Sequence, residues 1–139
     1  MIEVYFDGAC VPNPNGRIGY GAVVYKEQKI IHEISHEYKG SESLKRTNNV
    51  AEYVAVISAL KYLIHEGLNF YPAIFRGDSQ LVINQLSGEW QIRDGSPYSR
   101  FAHIALELTK EFPMISFCWL PREFNAHADN LSTIALETK

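Results

Sequence analysis

Four acidic residues attract attention first, because each lies at the end of a predicted strand or near the start of a predicted helix. They are Asp7, Glu52, Asp78 and Asp129. Four carboxylates in one cleft repel one another and are driven toward protonation unless a cation compensates their charge. Oxygen ligands without a cysteine cluster favour magnesium or manganese over zinc. Two such ions about 3.5–4 Å apart can activate a water and stabilise the leaving oxygen at phosphorus, so the pattern predicts metal-assisted phosphodiester hydrolysis.

The first acid follows a predicted strand. Residues 2–6 (IEVYF) are β-branched or aromatic, and Gly8 is expected to stop the strand just beyond the acid. Residues 19–25 (GYGAVVY) and 30–38 predict two further strands, and residues 26–29 a hairpin turn between them. We therefore expect these three strands to form an antiparallel meander.

The second acid heads a predicted helix over about residues 49–65. Glu52 begins a stripe that continues at helical intervals through Val56, Ala59 and Leu63. A surface glutamate would not normally head an apolar stripe, so its carboxylate is a candidate ligand. The simpler alternative is a favourable charge on the helix macrodipole.

The third acid follows a predicted strand over residues 73–77 and opens another helix. A right-handed crossover through the preceding helix would set this strand parallel to the first one. Asp7 and Asp78 would then project from neighbouring carboxyl ends, where ligands bind in open α/β sheets. The alternative is that Asp78 only caps its helix.

The remaining elements complete an α/β fold. Residues 98–112 predict a third helix, residues 115–120 a last strand, and residues 126–137 a terminal helix with Asp129 in its first turn. First-turn charge is again the simpler alternative for this acid. We expect a five-stranded mixed sheet, an antiparallel meander plus parallel strands, flanked by helices. The apolar content of 46% suffices for one packed core, so a single domain over residues 1–139 is expected.

Five ordered motifs extend over nearly the whole chain. They are YFDGAC at 5–10, PNPNG at 12–16, TNNVAE at 47–52, GDSQ at 77–80 and NAHAD at 125–129. Together they resemble type 1 ribonuclease H. The resemblance implies the ribonuclease H-like fold, a monomer, and endonucleolytic cleavage of the RNA strand of RNA–DNA hybrids to 5′-phosphate and 3′-hydroxyl ends.

The resemblance also implies a role for each acid with two Mg²⁺ or Mn²⁺ ions. Asp7 would bridge both ions. Asp129 would complete the site of the ion that activates water, while Glu52 and Asp78 would hold the ion nearer the leaving 3′ oxygen. All four are therefore expected metal ligands.

The same resemblance implies substrate contacts. Readers of RNA 2′-hydroxyls need donors and acceptors in a minor groove, and DNA-strand contacts accompany them in the family. The expected substrate-binding residues are Gly8, Ala9, Cys10, Asn13, Asn15, Thr47, Asn48, Asn49, Gln80, Trp90, Arg93 and Asn125. Glu52 is expected to contact a 2′-hydroxyl as well. Each has an alternative: Thr47 and Asn48 could cap the helix, the loop asparagines are ordinary turn residues, and Trp90 could be core.

The loop before the last acid departs from the pattern of some family members, since it has no histidine at the usual place. The sequence resembles a subgroup with an arginine seven residues before the final aspartate, so Arg122 is the candidate auxiliary group. Its help would be electrostatic, because arginine stays protonated near neutral pH. His127 is the rival, but residues two apart on a helix do not face the same way as Asp129.

Partner preferences follow from charge and length. The net charge of −3, without a basic protrusion or a preceding hybrid-binding module, predicts modest affinity with a shallow salt dependence. Double-stranded RNA is a further candidate substrate. Neither a membrane helix nor a signal peptide is expected, which predicts a cytoplasmic protein with Cys10 and Cys118 as free thiols.

Other interpretations remain at this point. A non-catalytic nucleic-acid-binding module would keep the fold, and a glycosidase could use paired carboxylates without metal. His32 and His36 have the spacing of helical zinc ligands, but in a strand they would lie about 13 Å apart. Sheet packing is the expected role of the aromatic residues Tyr5, Phe6, Tyr20, Tyr25, Phe117 and Trp119.

Overall fold

The sheet and the helices match the predicted α/β architecture. A computed structural model describes residues 1–40 and 45–137. The first part of the chain forms β1 (Ile2–Val11), β2 (Arg17–Lys26), β3 (Lys29–Tyr38), α1 (Asn48–His65) and β4 (Ala73–Gly77). It continues with α2 (Gln80–Leu86), α3 (Ser99–Thr109), β5 (Ile115–Trp119) and α4 (Ala126–Glu137). Short 3₁₀ turns lie at Leu68–Phe70 and Arg122–Phe124.

The five strands form one mixed sheet in the order β3-β2-β1-β4-β5. β1 pairs with β2 and β2 with β3 in antiparallel fashion, while β4 pairs in parallel with β1 and with β5. The predicted meander and the parallel crossover are both confirmed, and so is the five-stranded mixed sheet flanked by helices.

Helices cover the two faces of the sheet because β1 and β2 are apolar on both. Ile2, Val4 and Phe6 of β1 are fully buried and belong to the core with α1. Gly21 of β2 lies on the opposite face, where its α-carbon approaches Leu131 of α4. Alternation along a strand sends successive side chains to opposite faces, so α1 and α4 enclose the strands that carry the first acid. No helix in the described ranges combines the length and the apolar character needed to cross a membrane.

The prediction that Gly8 ends the first strand is wrong. β1 continues to Val11 because its antiparallel ladder with β2 runs on to the pair of Val11 with Arg17. Its parallel ladder with β4 stops earlier, at the pair of Tyr5 with Arg76. Asp7 is therefore in mid-strand, but it lies just past the end of the parallel ladder.

Helix starts differ slightly from prediction. α1 begins one residue early, at Asn48, and the Thr47 side chain caps it by accepting a hydrogen bond from the backbone N–H of Val50 at 3.2 Å. Ser79 caps α2 by the same kind of bond. The alternative that Asp78 is the cap is therefore wrong, and its carboxylate is left for another role. The third helix is shorter than predicted, and β5 ends one residue earlier.

A close approach between β1 and α1 fixes how the first two acids face each other. A β-carbon added to Gly8 would lie 2.3 Å from the backbone carbonyl carbon and oxygen of Ala51. Only glycine allows the strand backbone to rest directly on the first turn of the helix. Since Asp7 and Glu52 adjoin this contact, the glycine sets the distance between their carboxylates.

We expect the substitution Gly8→Ala to lower the free energy of unfolding by at least about 2 kcal/mol, because the methyl group must push β1 and α1 apart. Urea titration monitored by circular dichroism would measure it. The matched control is Gly95→Ala, where the added atom meets nothing within 4 Å but the backbone has φ of +85°. That positive φ costs about 1 kcal/mol, and equal losses in the two variants would contradict the close-approach argument.

Candidate active site

Three of the four predicted acids converge at the end of the parallel ladder. Asp7 on β1, Glu52 on α1 and Asp78 directly after β4 each place one carboxylate oxygen within 4.8 Å of the other two. The register of β1 and β4 brings the two aspartates together, and the contact of Gly8 with α1 brings the glutamate. Asp7 is only 6% exposed. The arrangement is a cluster of oxygen donors in which Asp7 is buried and Glu52 and Asp78 are partly buried.

The fourth acid lies beside this cluster on another element. Asp129 is in the first turn of α4, where its backbone N–H donates to Asn125 O at 3.0 Å. Its carboxylate is not one of the three that lie within 4.8 Å of one another. Its charge nevertheless helps to raise the pKa of both Asp7 and Glu52, so it acts on the cluster electrostatically.

Burial and mutual repulsion make the cluster hard to ionise. Burial is the main cause that raises the pKa of Asp7 to about 7, and the negative charge of Asp78 is the next. Burial, followed by the charge of Asp7, raises the pKa of Glu52 well above its usual range. The hydrogen bond between them lowers the pKa of Asp7 and raises that of Glu52. Both shifts disfavour the ionised carboxylates in the absence of a counter-charge.

The donor set fits a divalent cation. Glu52 Oε1 is buried and has no hydrogen-bond partner among the described residues, so one acceptor oxygen of the donor set is left unsatisfied. Within the same part of the chain, no basic side chain forms an ion pair with Asp7, Glu52 or Asp78. A hard cation would supply the missing positive charge and would be held by carboxylate oxygens, the donors that Mg²⁺ prefers.

Asp78 is held by two side chains that the sequence predictions placed elsewhere. Asn125 Nδ2 donates to Asp78 Oδ1 at 3.3 Å, and the indole Nε1 of Trp119 donates to the Asp78 backbone carbonyl at 3.2 Å. Asn125 is only 1% exposed, so its burial gives no support to the predicted contact with substrate. Trp119, predicted to pack in the sheet, is 42% exposed. The sequence feature that could have predicted this exposed position is that Trp119 is the last residue of β5.

The predicted substrate residues near β1 form one linked set. Asn48 Oδ1 accepts a hydrogen bond from the Cys10 backbone N–H at 2.8 Å, and the Asn48 backbone N–H donates to Asn13 Oδ1 at 3.1 Å. The backbone N–H of Asn15 donates to Arg46 O at 2.7 Å. These bonds fasten the β1–β2 loop to the start of α1. The Cys10 N–H is already used, whereas the Asn48 amide Nδ2 has no partner among the described residues.

The other predicted contacts are accessible side chains or strand backbone. Gly8 and Ala9 lie in β1, next to Asp7. Gln80, Trp90 and Arg93 are exposed, and Asn49 is partly exposed. Trp90 has 47% of its surface exposed, so the alternative that it belongs to the core is wrong.

The two candidate auxiliary groups point in different directions. Arg122 is exposed on the 3₁₀ turn after β5, and its side chain bonds to no residue in the described ranges. His127 Nε2 lies 2.7 Å from Glu33 Oε2 of β3. The histidine is therefore engaged with the far edge of the sheet, in agreement with the helical periodicity that separates it from Asp129.

We expect Asp7→Asn to raise the free energy of unfolding at pH 8 by about 1–3 kcal/mol in the presence of a chelator. The pKa of Asp7 is raised in the folded protein to about 7. Its ionisation therefore costs stability as the pH rises from about 4 through 7, and no such cost exists below that window. Urea unfolding at pH 4 and pH 8 would measure the difference, which should vanish at pH 4. Asp94→Asn, at an exposed position, is the control and should change neither value; a destabilised Asp7→Asn at pH 8 would contradict the repulsion.

Comparison with known proteins supports a family assignment. A family model described as "Reverse transcriptase-like" matches residues 5–135. A bifunctional protein of Mycobacterium tuberculosis is 33% identical over 98% of this chain and 35% of its own length. The ribonuclease HI of Halobacterium salinarum is 37% identical over 98% of this chain and 64% of its own length. The chain thus spans about a third to two thirds of the length of these curated relatives.

Solved structures agree over almost the whole fold. The crystal structure of RNase H1 from Halobacterium salinarum has a TM-score of 0.86 and 35% identity, and the match covers 99% of this chain and 98% of that chain. LC11-RNase H1, solved in complex with an RNA/DNA hybrid, has a TM-score of 0.80 and 33% identity over 99% of this chain and 97% of its own. Because the family model and these relatives match nearly from end to end, the chain belongs to the type 1 ribonuclease H family.

Proposed function

We propose that this protein is a metal-dependent endonuclease that hydrolyses the RNA strand of RNA–DNA hybrids. The observation that carries the proposal is the convergence of one buried and two partly buried acids, Asp7, Glu52 and Asp78, which form no ion pair among the described residues. A relative of 33% identity is described in complex with an RNA/DNA hybrid, which supports the substrate class. Membership of this family removes the glycosidase alternative.

The proposed cofactors are two divalent ions, Mg²⁺ or Mn²⁺, held by Asp7, Glu52, Asp78 and Asp129. Such ions would activate a water and stabilise the leaving 3′ oxygen, which gives 5′-phosphate and 3′-hydroxyl ends. The protein itself contributes the placement of the carboxylates on rigid elements. Ion binding would favour the ionised form of Glu52, whose pKa burial raises, because ligands bind metal in the deprotonated form.

Recognition of the hybrid is proposed for side chains around the start of α1 and α2. The free amide of Asn48 and the exposed side chain of Gln80 can bond the 2′-hydroxyls that distinguish RNA from DNA. Thr47 Oγ1 accepts the capping bond, but its hydroxyl hydrogen remains available to a phosphate. Asn13 and Asn49 are proposed DNA-strand contacts.

Further contacts and the setting of the enzyme are also proposals. Trp90 and Arg93 are exposed beyond α2 and are proposed to lie along the DNA strand. Arg122 is proposed to contact a phosphate electrostatically. Double-stranded RNA remains a candidate second substrate. We further propose a monomeric enzyme that acts in the cytoplasm, with residues 1–139 as one ribonuclease H domain.

The proposal predicts that a labelled RNA is cleaved when it is paired with DNA and only when a divalent metal is present. The RNA is presented single-stranded, paired with RNA and paired with DNA, each with Mg²⁺, with Mn²⁺ and with chelator. We expect metal-dependent cutting of the hybrid, with 5′-phosphate ends identified by gel mobility after phosphatase treatment. Asp7→Asn is the control and should lose at least about 1,000-fold in rate while its circular dichroism spectrum stays unchanged.

The outcomes of this panel separate the alternatives. Cutting of the RNA duplex as well would widen the specificity and keep the mechanism. Binding of the hybrid without cutting in either metal would favour a non-catalytic module, and near-normal turnover by Asp7→Asn would overturn the metal-site assignment.

The auxiliary role can be tested by two single variants. Arg122→Ala should lower kcat by about 10- to 150-fold, because one charge-assisted phosphate contact is worth about 1.5–3 kcal/mol. His127→Ala should leave kcat within about 2-fold, since its imidazole faces Glu33. Initial rates at saturating hybrid and Mg²⁺ would measure both. The reverse ranking of the two variants would assign the role to His127.

A further inference from the structure

One buried asparagine contacts three acid-bearing segments, two through its side-chain amide and one through its backbone carbonyl. Asn125 Nδ2 donates to the Phe6 carbonyl at 2.9 Å, directly before Asp7, and to Asp78 Oδ1 at 3.3 Å. The Asn125 backbone carbonyl accepts the N–H of Asp129 at 3.0 Å. With 1% of its surface exposed, Asn125 is inaccessible to a nucleic acid. It therefore touches the elements of three acids without belonging to the substrate surface.

The hydrogen bonds determine which way the amide group faces. Both amide hydrogens have oxygen acceptors, whereas Asn125 Oδ1 is buried and has no partner among the described residues. The opposite orientation would place Oδ1 against two oxygens, the Phe6 carbonyl and the Asp78 carboxylate, and would leave both without their donor. An unsatisfied buried acceptor costs free energy. The two donor bonds must offset that cost, so donation is the function of this side chain.

The segment from the end of β5 to Asn125 also holds the backbone around Asp78. The Leu120 backbone N–H donates to Gly77 O at 3.0 Å, and the Trp119 indole donates to Asp78 O. With the main chain fixed in this way, the remaining freedom of Asp78 is rotation of its carboxylate. Asn125 removes that freedom, because its amide holds Oδ1 while its other hydrogen is anchored to β1.

We propose that Asn125 is a positioning residue that fixes the Asp78 carboxylate relative to Asp7, and so sets the spacing of the metal ligands. This inference rests on the proposed function. It acts through Asp78, since Asn125 touches neither substrate nor ion. Partners of metal ligands typically contribute 10–100-fold to metal affinity or activity, which sets the size of the expected effect.

The test compares Asn125→Ala and Asn125→Asp with wild type. The second variant keeps the shape but replaces the donor with an oxygen. We expect Mn²⁺ affinity, measured by calorimetry, to fall at least about 10-fold in both. At saturating Mn²⁺, kcat on the hybrid should also fall about 10–100-fold, while KM for the hybrid stays within about 3-fold because the side chain is inaccessible to it.

The matched control is Asn69→Ala. Asn69 is also a buried asparagine, 5% exposed, and its Nδ2 donates to Glu111 O at 2.8 Å, away from the acids. This variant should lose stability and keep both Mn²⁺ affinity and kcat. If Asn125→Ala and Asn125→Asp retain wild-type Mn²⁺ affinity and kcat, the proposal is wrong. If Asn125 has only a structural role, its two variants will lose stability and keep Mn²⁺ affinity and kcat, as expected for Asn69→Ala. That result would also overturn the proposal.

A measurement on the wild-type protein keeps the test decisive if the variants do not fold. In ¹⁵N-correlated spectra, titration with Mg²⁺ should shift the side-chain NH₂ signals of Asn125, because one hydrogen is bonded to a ligand oxygen, and should leave those of Asn69 in place. The inference would be contradicted if the chemical shifts of the Asn125 side chain stayed unchanged while that of the Asp78 backbone amide moved. Failure of the proposed function is separate: it would appear as a wild-type protein that binds metal and does not cut the hybrid.

Discussion

Repulsion among buried carboxylates is the constraint on which this structure depends. Asp7, Glu52 and Asp78 lie within 4.8 Å of one another, and burial makes each negative charge costly. The apolar core of the sheet and α1 supplies the free energy that holds them together. Without a counter-charge this arrangement disfavours the ionised acids, but for the same reason it favours binding of a divalent cation. The repulsion that destabilises the fold therefore also creates the metal-binding site.

Much of the fold could be predicted because local signals and pairing rules agreed. Turn residues delimited the meander, and the handedness of the crossover set β4 parallel to β1. The length of β1 could not be predicted. Gly8 is a strand breaker by local propensity, but the antiparallel partner supplies hydrogen bonds as far as Val11. Such pairing between distant segments outweighs the propensity of a single residue.

In the candidate site, too, some residues could be predicted from the sequence and others could not. Glu52, Asp78 and Asp129 were found from residue type and position, because helix starts and the end of β4 are visible in the sequence, whereas Asp7 was found although β1 continues past it to Val11. The positions of Asn125 and Trp119 were not found, since the burial of the first and the exposure of the second depend on tertiary contacts. A motif can include Asn125 without saying that it faces inward. The bond of His127 to Glu33 agrees with the expectation that it does not face the same way as Asp129, because helical periodicity is a local property.

The unequal ladders of β1 have a consequence for self-association. Beyond the last pair with β4, residues 7–11 extend about 16 Å with β2 on one side and, among the described residues, no strand paired on the other. Open edges recruit strands from other molecules and so promote aggregation. Here the Gly8 N–H donates to Asp7 Oδ1 and the Cys10 N–H donates to Asn48 Oδ1. The side chains around the cleft thus occupy the donors that an incoming strand would need, and they protect the edge that the cleft requires to be open.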